Sequence, residues 1–208
     1  MYLIDKRFDF CYGHRVHTQQ LIGEYCERGD TSCKCRHPHG HQGTVHVFLE
    51  ADELNGQGMV VDFKHLGWLK DWIDTYIDHK FIIDINDPMF KTMVMSPFTV
   101  YSGHVLYDHV DLNPVFVHDK PELLMGHTLR VPDVDPNNPR TYHDQSYHEL
   151  LSGFFVVDFV PTSENLSAWL AELVMKRMQP FYPQVRLSRL EWFETPKSRS
   201  TYMPGDRT

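Results

Sequence analysis

The chain has 208 residues, 41% of them hydrophobic and 23% charged, with a formal net charge of −8 and a pI near 5.9. That is enough apolar material for the core of one domain, which excludes global disorder. The acidic balance excludes nucleic acid as the main partner, because binding a phosphate backbone needs a basic face. The start, MYLIDKRFDF, has no apolar signal core and no 18-residue apolar run follows, so no membrane span is expected. Four cysteines at positions 11, 26, 33 and 35 suit reduced cytosolic thiols, and a cytoplasmic protein is expected.

Residues 2 to 12 alternate, with Phe8, Phe10 and Tyr12 on one side, as in a strand. A polar loop is expected over residues 18 to 38. HQGTVHVFLEA then reads as a second strand with Val45, Val47 and Leu49 on one face, closed by the turn LNGQGM. In VDFKHLGWLKDWIDTYI, Phe63, Leu66, Leu69, Ile73 and Ile77 recur at helical spacing behind an N-cap at Asp62. Residues 84 to about 153 lose this regularity and read as an insertion, with a hairpin near FTVYSGHVLYDHV and a loop at VPDVDPNNPR. Regular signals resume at FFVVDFV. PTSENLSAWLAELVMKRM is a helix capped by Thr162 or Ser163, with Leu166, Trp169, Leu170 and Leu173 on its buried side. QVRLSRLEWFET alternates as a strand, and STYM can form a short last one. Insertion aside, the order is β-β-α-α-β-β, an α+β pattern with two helices on one face of an antiparallel sheet, in a single domain over 1–208.

The chemistry concentrates in CKCRHPHGHQG, residues 33 to 43. In an extended segment His39 and His41 point to the same face and can reach one ion, and His14, ending the preceding strand, can lie alongside. Three imidazoles with an open fourth position is the arrangement of a catalytic zinc. Two other readings stay open: chance clustering in a chain with 14 histidines, and a structural site made by Cys26, Cys33, Cys35 and His37. Cys35 lies four residues before His39, where a cation would favour its thiolate. Asp78 beside His79 has the composition of a carboxylate fixing an imidazole tautomer. Glu194, at the end of the QVRLSRLEWFET strand, can accept two parallel hydrogen bonds from an amidine-like edge.

Six segments in order resemble the 6-pyruvoyltetrahydropterin and 6-carboxytetrahydropterin synthase family: FDFCYGHRV, C-R-H-P-H-G-H, GMVVDFKHL, IDH, PTSEN and ETP, over residues 1 to 83 and 159 to 203. The resemblance implies the tunnelling fold, whose sheets join into barrels, and a homo-oligomer, usually a hexamer. It implies a zinc-dependent lyase with zinc on His14, His39 and His41, and Cys35 as proton acceptor. Asp78 and His79 would form a relay with Glu194, which also anchors the pterin, and Thr162 and Ser163 would help seat the ring. The substrate implied is 7,8-dihydroneopterin triphosphate. The thiol four positions before His39, C-x3-H-G-H, fits the carboxy-forming branch, which feeds queuosine synthesis. Cys33, as C-x5-H-G-H, fits the pyruvoyl-forming branch. A zinc-bearing assembly protein without turnover is the reading of another class. The chain departs from the family pattern at Gly13, at Ile83, and in the length of the segment before PTSEN.

Overall fold

The structure is a computed structural model, and it describes residues 1–22, 33–95, 111–117, 120–130 and 145–205. The chain divides into two compact units. The first comprises residues 1–13, 40–79 and 162–208, and the second residues 14–39 and 80–161.

The first unit is built on β1 (Tyr2–His14), β2 (His39–Ala51), α1 (Gly67–Tyr76), a helix at Ser163–Met178, and strands at Arg186–Thr195 and Ser198–Tyr202. This is the expected β-β-α-α-β-β order of the tunnelling fold. The alternation of β1 survives in three dimensions: Phe8, Phe10 and Tyr12 are buried while Arg7, Asp9 and Cys11 are exposed. On β2, Val45, Val47 and Leu49 are buried on the expected face. Gly43 lies on that face because nothing larger fits: a Cβ there would sit 2.9 Å from the rings of both Phe10 and Tyr12. The strand at Arg186–Thr195 pairs antiparallel with β2 and with the final strand, with an irregularity between Phe48 and Leu49.

Asp62 caps the first helical segment by accepting a 2.8 Å hydrogen bond from the Lys64 N–H. The segment starts as a 3-10 turn over Phe63–Leu66 before α1. Three residues per turn rotates Phe63 out of the α-helical stripe, and it is exposed rather than buried. The helix at Ser163–Met178 buries Leu166, Leu170 and Leu173 as expected, while Trp169 is half-buried against Trp72 of α1, ring centroids 5.3 Å apart.

The second unit adds β3 (Lys80–Asp84), α2 (Phe90–Met95), β4 (Asp111–Val117), β5 (Lys120–Arg130), α3 (Gln145–Ser152) and β6 (Phe154–Val157); the later elements of the chain are therefore α4 (Ser163–Met178), β7 (Arg186–Thr195) and β8 (Ser198–Tyr202). Its strands run in the order β4-β5-β6-β3. β3 and β6 are parallel, so the sheet is mixed, whereas β4/β5 and β5/β6 are antiparallel. All four residues of β6 are buried, the continuous apolar run expected of a strand covered on both faces. Ile83, Val94, Leu129, Leu151, Phe154 and Val156 form its core. The hairpin expected at FTVYSGHVLYDHV and the loop at VPDVDPNNPR lie outside the described residues.

Candidate active site

His14 ends β1, fully buried, and its Nδ1 lies 2.6 Å from the carbonyl oxygen of Pro161. A carbonyl only accepts, so Nδ1 carries a proton, which in the neutral ring leaves the lone pair on Nε2. His39 opens β2 with the same device: its Nδ1 donates to the His37 carbonyl at 2.7 Å, which again leaves Nε2 as the basic nitrogen. The rings of His14 and His39 are 4.6 Å apart between centroids. His41 follows at i+2 on the same strand face, its ring 5.7 Å from that of Tyr12. One nitrogen from each of the three histidines lies within 4.8 Å of the others. Zinc–nitrogen bonds of about 2.0–2.1 Å place tetrahedral ligand atoms a little over 3 Å apart, so the three atoms would draw closer on sharing one ion. A neutral imidazole whose Nδ1–H is held by a carbonyl offers Nε2 to a cation. Among the described residues this is the group of histidine, cysteine or carboxylate side chains that converges in this way. Cys33, Cys35 and His37 do not form another, and Cys26 lies outside the described residues.

Cys35 is the middle residue of a 3-10 turn, Lys34–Arg36, and Cys33 is its extended N-cap; both are half-buried. The turn is tied to the chain just after His14, for the Val16 N–H donates to the Cys35 carbonyl at 2.8 Å and Arg36 donates to the Gln19 carbonyl at 3.2 Å. Cys35 is thus fixed by backbone to the segment that follows His14 of the candidate metal site.

Asp78 and His79 leave α1 and grip β1. One Asp78 carboxylate oxygen accepts from the Cys11 N–H at 2.7 Å, and the His79 N–H donates to the Cys11 carbonyl at 2.7 Å. The other carboxylate oxygen lies 3.0 Å from His79 Nδ1, so the adjacent side chains do touch. Contact requires an unusual backbone: His79 has φ 58°, the left-handed region, which histidine tolerates better than most residues. Partial burial acts to raise the Asp78 pKa, but the Cys11 N–H and the His79 ring outweigh it and hold the carboxyl below its ordinary value. The His79 ring itself is open to solvent, with its side chain 81% exposed.

Glu194 lies half-buried on β7, two residues after the buried Trp192 whose indole N–H donates to the Tyr12 hydroxyl at 3.0 Å. Burial raises the Tyr12 pKa far above the ordinary phenol value; the Trp192 hydrogen bond acts against this and the Glu194 charge reinforces it. Tyr12 is therefore a neutral phenol with its ring near that of His41 and the Glu194 charge nearby, a role its position in an alternating strand does not announce. Thr162 caps α4, its hydroxyl accepting from the Asn165 N–H at 3.3 Å, and the Ser163 hydroxyl bonds Glu164 at 3.3 Å. The neighbouring Pro161 carbonyl is the group that orients His14. Sequence reading misses Pro161, the His37 carbonyl and the Cys11 backbone, because a main-chain group has no residue signature.

The profile of the family described as 6-pyruvoyl tetrahydropterin synthase matches residues 3–205. A protein of Aquifex aeolicus named 6-carboxy-5,6,7,8-tetrahydropterin synthase is 43% identical over 94 residues, 43% of this chain and 57% of that one, so the match spans little more than half of that relative's length. The crystal structure of uncharacterized protein WS1659 from Wolinella succinogenes aligns with a TM-score of 0.72 and 41% identity over 97% of each chain. That coverage extends through the long segment between His79 and Pro161, so both chains carry it. The 6-pyruvoyl tetrahydropterin synthase of Caenorhabditis elegans, at 20% identity and a TM-score of 0.51 over 98% of this chain and 96% of its own, shares the fold. With a profile match running almost from end to end over this architecture, the protein belongs to the 6-pyruvoyl tetrahydropterin synthase family.

Proposed function

We propose that the protein is a zinc-dependent lyase that converts 7,8-dihydroneopterin triphosphate and water into 6-carboxy-5,6,7,8-tetrahydropterin, triphosphate and acetaldehyde. The observation that carries the reading is the convergence of His14, His39 and His41, two of them held by carbonyls in the tautomer that a metal needs. A zinc ion held there supplies Lewis-acid polarisation of the substrate's side-chain oxygens. The chain's own groups do the rest. Cys35, as thiolate, takes a proton from the side-chain carbon. Asp78 keeps the Nδ1 proton of His79 in place, so Nε2 of that ring can exchange protons with the substrate oxygen. Glu194 accepts the two parallel N–H bonds of the pterin's amidine edge, and Thr162 and Ser163 bound the ring's seat. His79 faces solvent in the isolated chain, which suits a group completed by assembly, and we propose a cytoplasmic homo-oligomer, a hexamer, serving queuosine synthesis.

The carboxy-forming branch is supported by the spacing of Cys35 from His39 and by the name of the Aquifex relative. The alternative is triphosphate elimination to 6-pyruvoyltetrahydropterin with Cys33 as the base, favoured by the place of Cys33 at the head of the same turn. Incubating the purified protein with dihydroneopterin triphosphate and identifying the fragments separates them. Acetaldehyde release is the expected result, triphosphate release with the side chain intact means the alternative, and no turnover favours a zinc-bearing assembly protein.

A further inference from the structure

We infer that the recess between the start of α1 and the end of α4 is a binding site for a small aromatic monophosphate of mononucleotide size. The recess has a volume of about 280 Å³ and its lining includes Lys64, His65, Trp68, Arg177, Phe181 and Tyr182. It lies just below the roughly 300–1,000 Å³ typical of small-molecule sites, which suits a small ligand with a planar ring system and one anionic group.

Its charge is the first argument. In a chain of net charge −8, this lining holds Lys64, Arg177 and an imidazole and no carboxylate. Neither Lys64 nor Arg177 forms an ion pair among the described residues. The carboxylates close by in sequence are otherwise engaged: Asp62 caps the helix through the Lys64 backbone N–H, and Glu172 pairs with Lys176. The cation at Arg177 belongs where it is, in the last turn of α4, where helix carbonyls favour positive charge.

The aromatic lining is the second argument. The Arg177 guanidinium lies 5.9 Å from the Trp68 ring centroid and 5.2 Å from that of Phe181. Such contacts orient a cation without neutralising it. Phe181 is 64% exposed, unusual for a ring of that size, and presents a face on which a planar ligand can stack. His65 and Tyr182 close the other side, with the Tyr182 hydroxyl 2.6 Å from His65 Nδ1.

The charged groups of the lining, Lys64 and Arg177, are hydrogen-bond donors only. Phosphate oxygens are acceptors only, which complements a lining whose charged groups are donors. None of the residues proposed to bind zinc or pterin lines the recess, so the site stands apart from that reading.

Calorimetric titration of the full chain with AMP, adenosine and inorganic phosphate tests it. AMP is expected to bind once per chain, at least about tenfold more tightly than either fragment. Arg177→Gln and the exposed Lys64→Gln are each expected to weaken AMP about tenfold or more, the loss of one charge-assisted contact. Glu194→Gln should leave AMP binding unchanged, which separates this recess from the proposed pterin edge. Absence of AMP binding, insensitivity to both cation variants, parity of AMP with either fragment, or loss in Glu194→Gln overturns the proposal. If Arg177→Gln fails to fold, Lys64→Gln decides alone.

Discussion

Two histidines of the candidate metal site owe their tautomers to backbone carbonyls rather than to side chains. A His39→Ala/His41→Ala variant, which removes two of the three nitrogens, is expected to retain less than about a tenth of the zinc of the parent by elemental analysis. Full retention would move the metal elsewhere. Zinc on three neutral histidines keeps its positive charge, which favours an adjacent thiolate over a thiol. Cys35→Ala is therefore expected to lose roughly a hundredfold or more in turnover while keeping its metal, and Cys33→Ala to stay within about tenfold. The reverse ranking would assign the reaction to Cys33 and the pyruvoyl branch. Asp78 permits a prediction independent of activity. Its pKa is held below the ordinary value in the folded state, so its carboxylate stabilises the fold at pH values above the ordinary aspartate range. That contribution is lost as pH falls through the folded-state pKa. Asp78→Asn should cost about 1–2 kcal/mol at neutral pH by chemical denaturation, and the gap to the parent should close below about pH 4. A gap that stays constant with pH would show that the charge is not involved.

At the scale of elements, β1 and β2 approach closely because Gly43 has no side chain. The Cβ of Gly43→Ala would lie 2.9 Å from the Phe10 and Tyr12 rings, and those rings sit among Trp192 and the core, with little room to yield. The variant is expected to be destabilised by roughly 1–3 kcal/mol in urea denaturation, although alanine is otherwise the better strand residue. Tyr12 carries the ring facing His41, so zinc content of Gly43→Ala should fall with stability rather than independently of it.

For the whole molecule, the long segment after His79 is bounded by a constraint that its irregular sequence conceals. β3 and β6 are parallel, with Phe81 opposite Phe154 and Asp84 opposite Val157. The chain leaving Asp84 must travel back along the strand before entering β6. A parallel connection takes a dozen or more residues. Replacing residues 86–152 with a four-residue linker is therefore expected to abolish the cooperative thermal transition, or the soluble yield, while a helical crossover of about 15 residues should preserve more of both. A four-residue replacement with the parental transition would show that the pair is dispensable.

What the sequence determined by itself rests on period and on short-range spacing. The alternation in β1 and β2, the 3.6-residue stripe of α4 and the Asp62 and Thr162 caps are local properties, so they were legible, as was His39-x-His41, because a strand places i and i+2 on one face. In β7 the register shift opposite Phe48 and Leu49 breaks the expected alternation, burying Leu187 and Leu190 three apart and Glu191 between Leu190 and Trp192. Tertiary structure decided the rest. The parallel pairing of β3 with β6 joins residues some 70 positions apart whose short apolar runs carry no partner label. His14 joins the histidine pair only because strand pairing returns the chain to that point, and the carbonyls of Pro161 and His37 fix imidazole tautomers from positions where any residue offers the same group. The left-handed turn at His79 makes Asp78 and His79 touch, a contact that adjacency in sequence does not guarantee. Side-chain identity announces donors and acceptors; only the fold, by overcoming chain entropy with buried surface, sets which of them face one another.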